Sequence, residues 1–261
     1  MLLIKNLKKK LLRVIFIGNN KKNMKILFLL PPSEWKNKWW EFKNEEISFR
    51  FNKPCDISIN VDEKDLKCKW DRFEEWVNLN KTICEWNQKE YLESIKRYSG
   101  VMYNAIDYLW MSNNWKIFFE ENFLILSWMY GIVKPLDKIW NYKLPIDTKW
   151  LFDFWEEKIV NKIVESKPDY IVNLLPISYS KLLWLAKCKR HIYKRKILLD
   201  VWVKIININF LKEDWNLVSH WVKKIKWEWI KNICDNNLTD FKQFWWKVDE
   251  NWNIIDVNIV V

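Results

Sequence analysis

KILFLLPP, residues 25–32, is the stretch on which the fold depends. Its unbroken apolar run, closed by two prolines, predicts a fully buried strand that ends in a loop. YIVNLL at 170–175 has the same character and predicts a second buried strand. We expect further strands at 196–201, 203–208 and 254–260, and a weaker one at 47–51.

Segments with helical periodicity separate these strands. In 88–110, apolar residues recur at three- and four-residue steps from Tyr91 to Leu109. Similar patterns predict helices at 71–87, 152–163, 179–187 and 218–233. We therefore predict an α/β protein: a single domain with a mixed β-sheet flanked by helices. We assign this domain to residues 24–261 and expect the basic, Asn-rich residues 1–23 to be a non-native or disordered extension.

The composition excludes several classes of protein. No apolar run reaches about 18 residues, so no transmembrane helix is predicted, and no signal-peptide pattern is present. The five cysteines form no CxxC pair and the two histidines have no metal-ligand spacing. This indicates reduced cytosolic thiols, no cofactor and no tightly bound metal. The net charge of +11 favours a polyanionic partner such as nucleic acid, although the lysines are spread along the chain.

The content of glycine and tryptophan is unusual: 3 glycines and 21 tryptophans. Average usage is roughly 7% glycine, so about as many glycines are missing as tryptophans are in excess. Trp215 and Trp252 lie in turn-like sequences, where glycine supplies a positive φ. Either the protein is truly rich in tryptophan, or most of these residues are glycines encoded by UGA. In the second case, Trp155 and Trp229 are the expected true tryptophans, because they lie on apolar helical faces.

PPSEWK, residues 31–36, follows the first strand and is a candidate ligand loop. Ligands in α/β proteins bind beyond the carboxyl ends of strands. Ser33 offers a hydroxyl and Lys36 a charge for a phosphate, but the pattern is not a Walker A loop. A purely structural turn is an equally good interpretation.

LSWMYGIVKPLD, residues 126–137, is a candidate DNA contact. With glycine at Trp128, its two glycines would resemble the hairpin of a helix-hairpin-helix motif, which offers backbone N–H groups to a phosphate. Trp128, Tyr130, Gly131 and Lys134 would then form the contact. A helix C-cap followed by a turn is the alternative.

Two more segments carry polar groups that could bind a ligand. In HWVKKIKWEW, residues 220–229, an apolar stripe faces inward and leaves Lys223, Lys224 and Lys226 for phosphate contacts or simply for solvent. After the second buried strand, Asn173 and Tyr179 could line a cleft or cap the next helix.

Several segments in order resemble the YaaA family of peroxide stress proteins. They include RYSGVMYNAIDY at 97–108, LSWMYGIVKPLD at 126–137 and a Tyr-x-Leu at 142–144. The resemblance implies a cytoplasmic protein that protects against hydrogen peroxide, lowers free iron and binds double-stranded DNA in a basic cleft. It also places glycine at Trp35, Trp128 and Trp227. Ser178 departs from the family, where many members have Glu.

Two functions remain in competition. The first is a non-catalytic DNA-binding stress protein. The second is an enzyme acting on a nucleobase or nucleotide, in which Ser33, Lys36, Asn173, Tyr179 and Lys223 would converge on one pocket. We favour the first, because no catalytic triad, carboxylate pair or Cys-His pair can be assembled from the sequence. An iron-handling module is disfavoured by the scarcity of histidine.

Overall fold

The computed structural model describes residues 25–51, 53–85, 90–145, 148–183, 203–211, 227, 246–251 and 254–260. The strands are β1 (Ile26–Leu30), β2 (Leu92–Glu93), β3 (Phe123–Ser127), β4 (Gly131–Val133), β5 (Lys138–Ile139), β6 (Tyr170–Asn173), β7 (Lys204–Leu211), β8 (Trp246–Asn251) and β9 (Ile254–Val260). The α-helices are α1 (Pro54–Ser58), α2 (Glu63–Leu66), α3 (Asp71–Lys81), α4 (Ser94–Arg97), α5 (Val101–Ile106), α6 (Asn113–Asn122), α7 (Lys149–Glu165) and α8 (Ile177–Leu182). Short 3-10 turns lie at Thr82–Cys84 and Tyr108–Trp110.

The chain divides into two compact units, residues 1–29 with 162–261, and residues 30–161. In the first unit, five strands lie in the order β1-β6-β7-β9-β8. The pairs from β1 to β9 are parallel, and β8 runs antiparallel to β9. The predicted α/β class with a mixed sheet is therefore confirmed.

The central strands of this sheet have the continuous apolar sequence that the fold requires. Every residue of β1 and β6 is buried. Parallel strands are covered on both faces, so they read as unbroken hydrophobic runs rather than alternating ones. The strands predicted from residues 25–30, 170–175, 203–208 and 254–260 are confirmed. The strand predicted at 196–201 lies outside the described residues.

The second unit has shorter helices than the periodicity predicts. The single helix expected at 88–110 is divided into α4, α5 and a 3-10 turn. Gly100 has φ +107° and Asp107 has φ +49°, and a right-handed helix cannot pass through either conformation. The predicted strand at 47–51 is wrong: Ser48 instead donates from its N–H and hydroxyl to the Asp137 carboxylate.

The helix-hairpin-helix predicted at 126–137 is also wrong. Its flanks are β3 and β4, which pair antiparallel with Ser127 opposite Gly131. We call residues 123–133 the buried hairpin, because all of them are buried. A short apolar run does not distinguish a buried strand from a helix, so the flanks of this turn could not be assigned from their apolar sequence alone.

One cysteine prediction is corrected as well. Cys55 and Cys84 form a disulfide across 29 residues, with their Cα atoms 4.9 Å apart, so the expectation of reduced thiols is wrong for this pair. The spacing of these cysteines in the sequence does not predict their pairing, because α1 and the first 3-10 turn come into contact only in the folded chain. Cys68 is free and buried, and burial raises the pKa of its thiol. Among the described residues, no helix combines the length and apolar character that crossing a bilayer requires.

Candidate functional site around Lys36

The segment after β1 is held against the start of the RYSG sequence. We call residues 31–38 the lysine loop. The Asn37 N–H donates to the Arg97 carbonyl at 2.8 Å, and the Ser99 N–H donates to the Trp35 carbonyl at 2.9 Å. A Cβ at Gly100 would lie 3.1 Å from the Ser33 Oγ, so a glycine lets the two segments approach. Two separate sequence motifs thus form one site.

Lys36 directs its ammonium toward aromatic rings. The Nζ lies 4.1 Å from the ring centroid of Tyr142 and 5.4 Å from that of Tyr98. It donates to the Ser33 carbonyl at 3.0 Å. In the described part of the chain, no carboxylate forms an ion pair with Lys36. Burial and the nearby charge of Lys143 hold the pKa of Lys36 well below its usual value.

A chain of hydroxyl groups lies beside this lysine. The Tyr98 and Tyr142 hydroxyls are 2.8 Å apart, and the Ser127 Oγ is 2.9 Å from the Tyr142 hydroxyl. Burial raises the pKa of both phenols, so both stay protonated at neutral pH. The network satisfies these buried polar groups and fixes the tyrosine faces against Lys36.

Arg97 organises the backbone below the site. Its guanidinium donates to the carbonyls of Asn37 and Trp39 at 2.5 and 2.9 Å, to that of Glu90 at 2.9 Å, and to that of Ile139 at 3.4 Å. The five-donor fork of arginine suits several carbonyls at once. Because it is fully buried, Arg97 is a structural clamp that holds the lysine loop rather than a ligand contact.

Two further lysines surround the loop. Lys143 donates to the Glu34 carbonyl at 3.1 Å, and burial lowers the pKa of its ammonium, with the charge of Lys38 adding to the effect. Lys38 itself is exposed. Glu34 offsets part of this repulsion without forming an ion pair with Lys36 or Lys143. The result is a group of like charges at one loop.

Four of the residues predicted for DNA binding, Trp128, Tyr130, Gly131 and Lys134, lie in or next to the buried hairpin, and their contact with DNA stays a prediction. Trp128, Tyr130 and Gly131 are buried, and the Tyr130 N–H already donates to the Ser127 Oγ at 3.2 Å. Of the described members of the set, only Lys134 is exposed. Lys223, Lys224 and Lys226 lie outside the described residues.

The residues of the alternative enzyme pocket belong to different units. Ser33 and Lys36 lie in the second unit, and Asn173 and Tyr179 in the first. The Asn173 side chain donates to the Ser180 Oγ at 3.1 Å and to the Asn207 Oδ1 at 2.8 Å. Tyr179 is buried. Their convergence with Ser33 and Lys36 stays a prediction.

The sequence missed the contributions of Tyr98, Tyr142 and Lys143 to the site. Tyr98 and Tyr142 both stand in motifs already noted, RYSG and Tyr-x-Leu, and this was the available signal. A separate open cavity of about 600 Å³ near α2 is lined by three aspartates together with Lys64, Asn60 and apolar side chains. Asp62 and Asp65 there are used in a reciprocal helix cap, and Asp65 also accepts from the Trp150 indole at 3.0 Å. The described residues contain no cluster of three or more metal-ligating side chains.

The tryptophans fall into two structural groups. Trp70 is 84% exposed and has φ +59° and ψ −140°, a region that glycine adopts far more readily than tryptophan. Trp155, by contrast, is fully buried and donates from its indole to the Trp128 carbonyl at 2.8 Å. Trp128 and Trp227 are buried as well, which does not favour glycine at those two positions. Trp229 lies outside the described residues.

The family described as "Peroxide stress protein YaaA" matches residues 26–253. A UPF0246 protein of Psychrobacter cryohalolentis is 30% identical over 204 residues, covering 72% of this chain and 69% of the relative. A UPF0246 protein of Fusobacterium nucleatum is 25% identical over 240 residues, covering 84% and 89%. With a UPF0246 protein of Psychrobacter arcticus, 29% identical over 160 residues, the match covers 56% of this chain and about half of the relative, 54%.

Proposed function

The chain belongs to the YaaA family of peroxide stress proteins, and from this premise we propose that it binds double-stranded DNA in the cytoplasm and limits iron-dependent oxidative damage. The proposed partner is the phosphate backbone, which carries no sequence information by itself. Recognition is therefore expected to be largely independent of DNA sequence and strongly dependent on salt.

One observation carries the proposal: the like charges of Lys36, Lys38 and Lys143 at the lysine loop. The charge of Lys143 lowers the pKa of Lys36, and the charge of Lys38 lowers the pKa of Lys143, so bringing these charges together costs free energy in the unbound protein, of which Glu34 offsets part. A polyanion that lies across the loop would remove this repulsion. The net charge of +11 supports the same class of partner.

A salt titration of duplex binding tests the proposal. We expect a Lys38→Ala/Lys143→Ala variant to bind more weakly and to reduce the slope of log K against log salt concentration by about two, one for each lost phosphate contact. The matched control is Lys64→Ala/Lys81→Ala, which removes two exposed lysines from α2 and α3. Equal slopes for both double variants would contradict this binding surface.

Lys134 and the Lys223, Lys224, Lys226 group extend the proposed contact. Replacing the last three with alanine should weaken binding uniformly across DNA sequences. An unchanged affinity and slope would mean that these three lysines are only solvated.

A second candidate function is an enzyme acting on DNA or a nucleotide. The observation that favours it is Lys36, whose pKa is lowered in a half-buried site beside ordered hydroxyl groups. Lysines of this kind are frequent nucleophiles and bases in enzymes. Simple DNA binding has no need for such a group.

We also propose that the exposed tryptophans are glycines in the cell, encoded by UGA. Trp70 supports this most strongly through its positive φ, and Trp35, Trp39, Trp40 and Trp110 support it through their exposure. Sequencing the gene and measuring the mass of the native protein test the idea directly. UGG codons at these five positions would overturn it.

A further inference from the structure

We propose that Lys36 forms an imine with the aldehyde of an abasic site in DNA. The inference rests on the proposed DNA-binding function and assigns a covalent step to the same loop. It names the reacting atom as the Lys36 Nζ and the ligand as a deoxyribose that has lost its base.

The surroundings of the Lys36 Nζ fit a nucleophile. Among the described residues, its hydrogen bond goes to one backbone carbonyl, that of Ser33, and no carboxylate forms an ion pair with it, so the amine is oriented by a neutral group. The clamp of Arg97 on the Asn37 and Trp39 carbonyls fixes the backbone on the C-terminal side of Lys36. A nucleophile held in one place loses less entropy on reaction than a free surface lysine.

Electrostatics favour the reactive, unprotonated form of this amine. Burial lowers the pKa of Lys36, and the charge of Lys143 lowers it further. Only the neutral amine has the lone pair that attacks a carbonyl.

The tyrosine faces suit the product. An imine on lysine is protonated to an iminium ion, which keeps a positive charge where the ammonium was. The Tyr142 ring, 4.1 Å from the Nζ, and the Tyr98 ring, 5.4 Å away, offer cation–π stabilisation to that charge. The hydrogen bond between their hydroxyls holds the two rings in place.

The step balances without an external oxidant or reductant. The Lys36 amine adds to the C1′ aldehyde of the open-chain sugar and forms a C–N bond, while the C=O π bond breaks and the nitrogen passes one proton to the oxygen. The hydroxyl of the resulting neutral carbinolamine takes up one proton from solvent and leaves as water, which gives the iminium ion. Hydrolysis reverses the sequence and returns the free amine.

The charge of the loop selects an aldehyde carried by DNA over a neutral aldehyde. Lys143 and Lys38 would hold the phosphates that flank the sugar, while Lys36 meets the sugar itself. Loss of an oxidised base leaves such a sugar, so the ligand is a product of the stress to which the family responds. An abasic nucleotide also costs little to turn out of the helix, because it has no base to unstack.

Borohydride trapping tests the inference on the full chain. The protein is mixed with a duplex that contains one abasic site, cyanoborohydride is added, and adducts are resolved on a denaturing gel and mapped by mass spectrometry. We expect one adduct, on the peptide that contains Lys36. Lys36→Arg should reduce the adduct at least about tenfold, because arginine keeps the charge but forms no imine under these conditions. Lys64→Arg is the matched control.

The outcomes separate this inference from the proposed function. Binding of an intact duplex without trapping at the abasic site overturns the inference alone. Trapping without binding of the intact duplex overturns the proposed function alone, and loss of both overturns both. An adduct that maps mainly to other lysines in the wild-type protein also overturns the inference, even if Lys36→Arg fails to fold.

Discussion

The buried hairpin and the lysine loop present similar signals in the sequence and opposite structures. Both combine a turn with a nearby lysine and a family-like motif, and both were candidates for contact with phosphate. In the hairpin, Ser127 and Gly131 pair within β3–β4 and every residue is buried. In the loop, Lys36 and Lys38 remain accessible to a ligand.

The difference shows what a glycine does in each place. Gly131 has φ +82°, and a Cβ there would lie 2.9 Å from the Trp155 ring. This glycine therefore allows the hairpin backbone to pack directly against the indole. Gly100 has φ +107°, and a Cβ there would contact the Ser33 hydroxyl and the edge of the Trp35 ring. This glycine therefore lets the RYSG segment lie close to the lysine loop. The same residue type supports the core in one region and shapes the candidate site in the other.

The largest expected effect is on the hairpin. Gly131→Ala should destabilise the protein by about 3 kcal/mol, since it combines an unfavourable positive φ with overpacking against a rigid indole. Urea unfolding monitored by circular dichroism measures this loss. A change below about 1 kcal/mol would contradict the packed structure of the hairpin.

The matching change in the loop should cost less. Gly100→Ala is expected to destabilise by about 1–2 kcal/mol, because the positive φ is penalised and the Ser33 hydroxyl, which accepts from the Trp35 N–H at 3.2 Å, has to shift only slightly. It should nevertheless reduce duplex binding, which Gly131→Ala leaves intact in the molecules that remain folded. If the two variants weakened binding equally, the distinction between the regions would fail.

The sequence predicted the sheet far better than the site. KILFLL and YIVNLL are continuous apolar runs of strand length. Such runs are typical of parallel strands that are buried on both faces, so their assignment as strands was straightforward. The flanks of the buried hairpin are equally apolar, but their secondary structure could not be predicted, because a strand and a helix bury such short runs equally well. The site could be found only in part. Lys36 could be predicted as a candidate because it follows a buried strand. Its contact with Tyr142 could not be predicted, because the two residues lie about a hundred positions apart in the sequence.

Removing one hydroxyl from the site should have a smaller effect. Tyr142→Phe keeps the ring beneath Lys36 but removes the partner of the Tyr98 and Ser127 hydroxyls, and should destabilise by about 1 kcal/mol. Thermal unfolding provides the measurement. Ser112→Ala, at an exposed position whose side chain makes no cap hydrogen bond, is a suitable control. Equal melting temperatures for Tyr142→Phe and wild type would indicate that the network contributes nothing.

The last prediction for this region concerns pH. The pKa of Lys36 is lower in the folded chain than in the unfolded chain, so between these two values the unfolded state binds more protons. Lys36 therefore disfavours folding at neutral pH, and this penalty fades as pH rises toward the ordinary lysine pKa of about 10.4. The free energy of unfolding of wild type, relative to Lys36→Met, should increase between pH 7 and pH 9. A constant or decreasing difference would contradict the lowered pKa.

The comparison between the two regions is tested most directly by hydrogen–deuterium exchange of the protein with and without duplex DNA. The central claim is that the lysine loop, and not the buried hairpin, meets the ligand. We predict that DNA slows exchange in residues 33–38 and 97–100 and leaves residues 127–131 unchanged. Protection of 127–131 without protection of 33–38 would contradict the account.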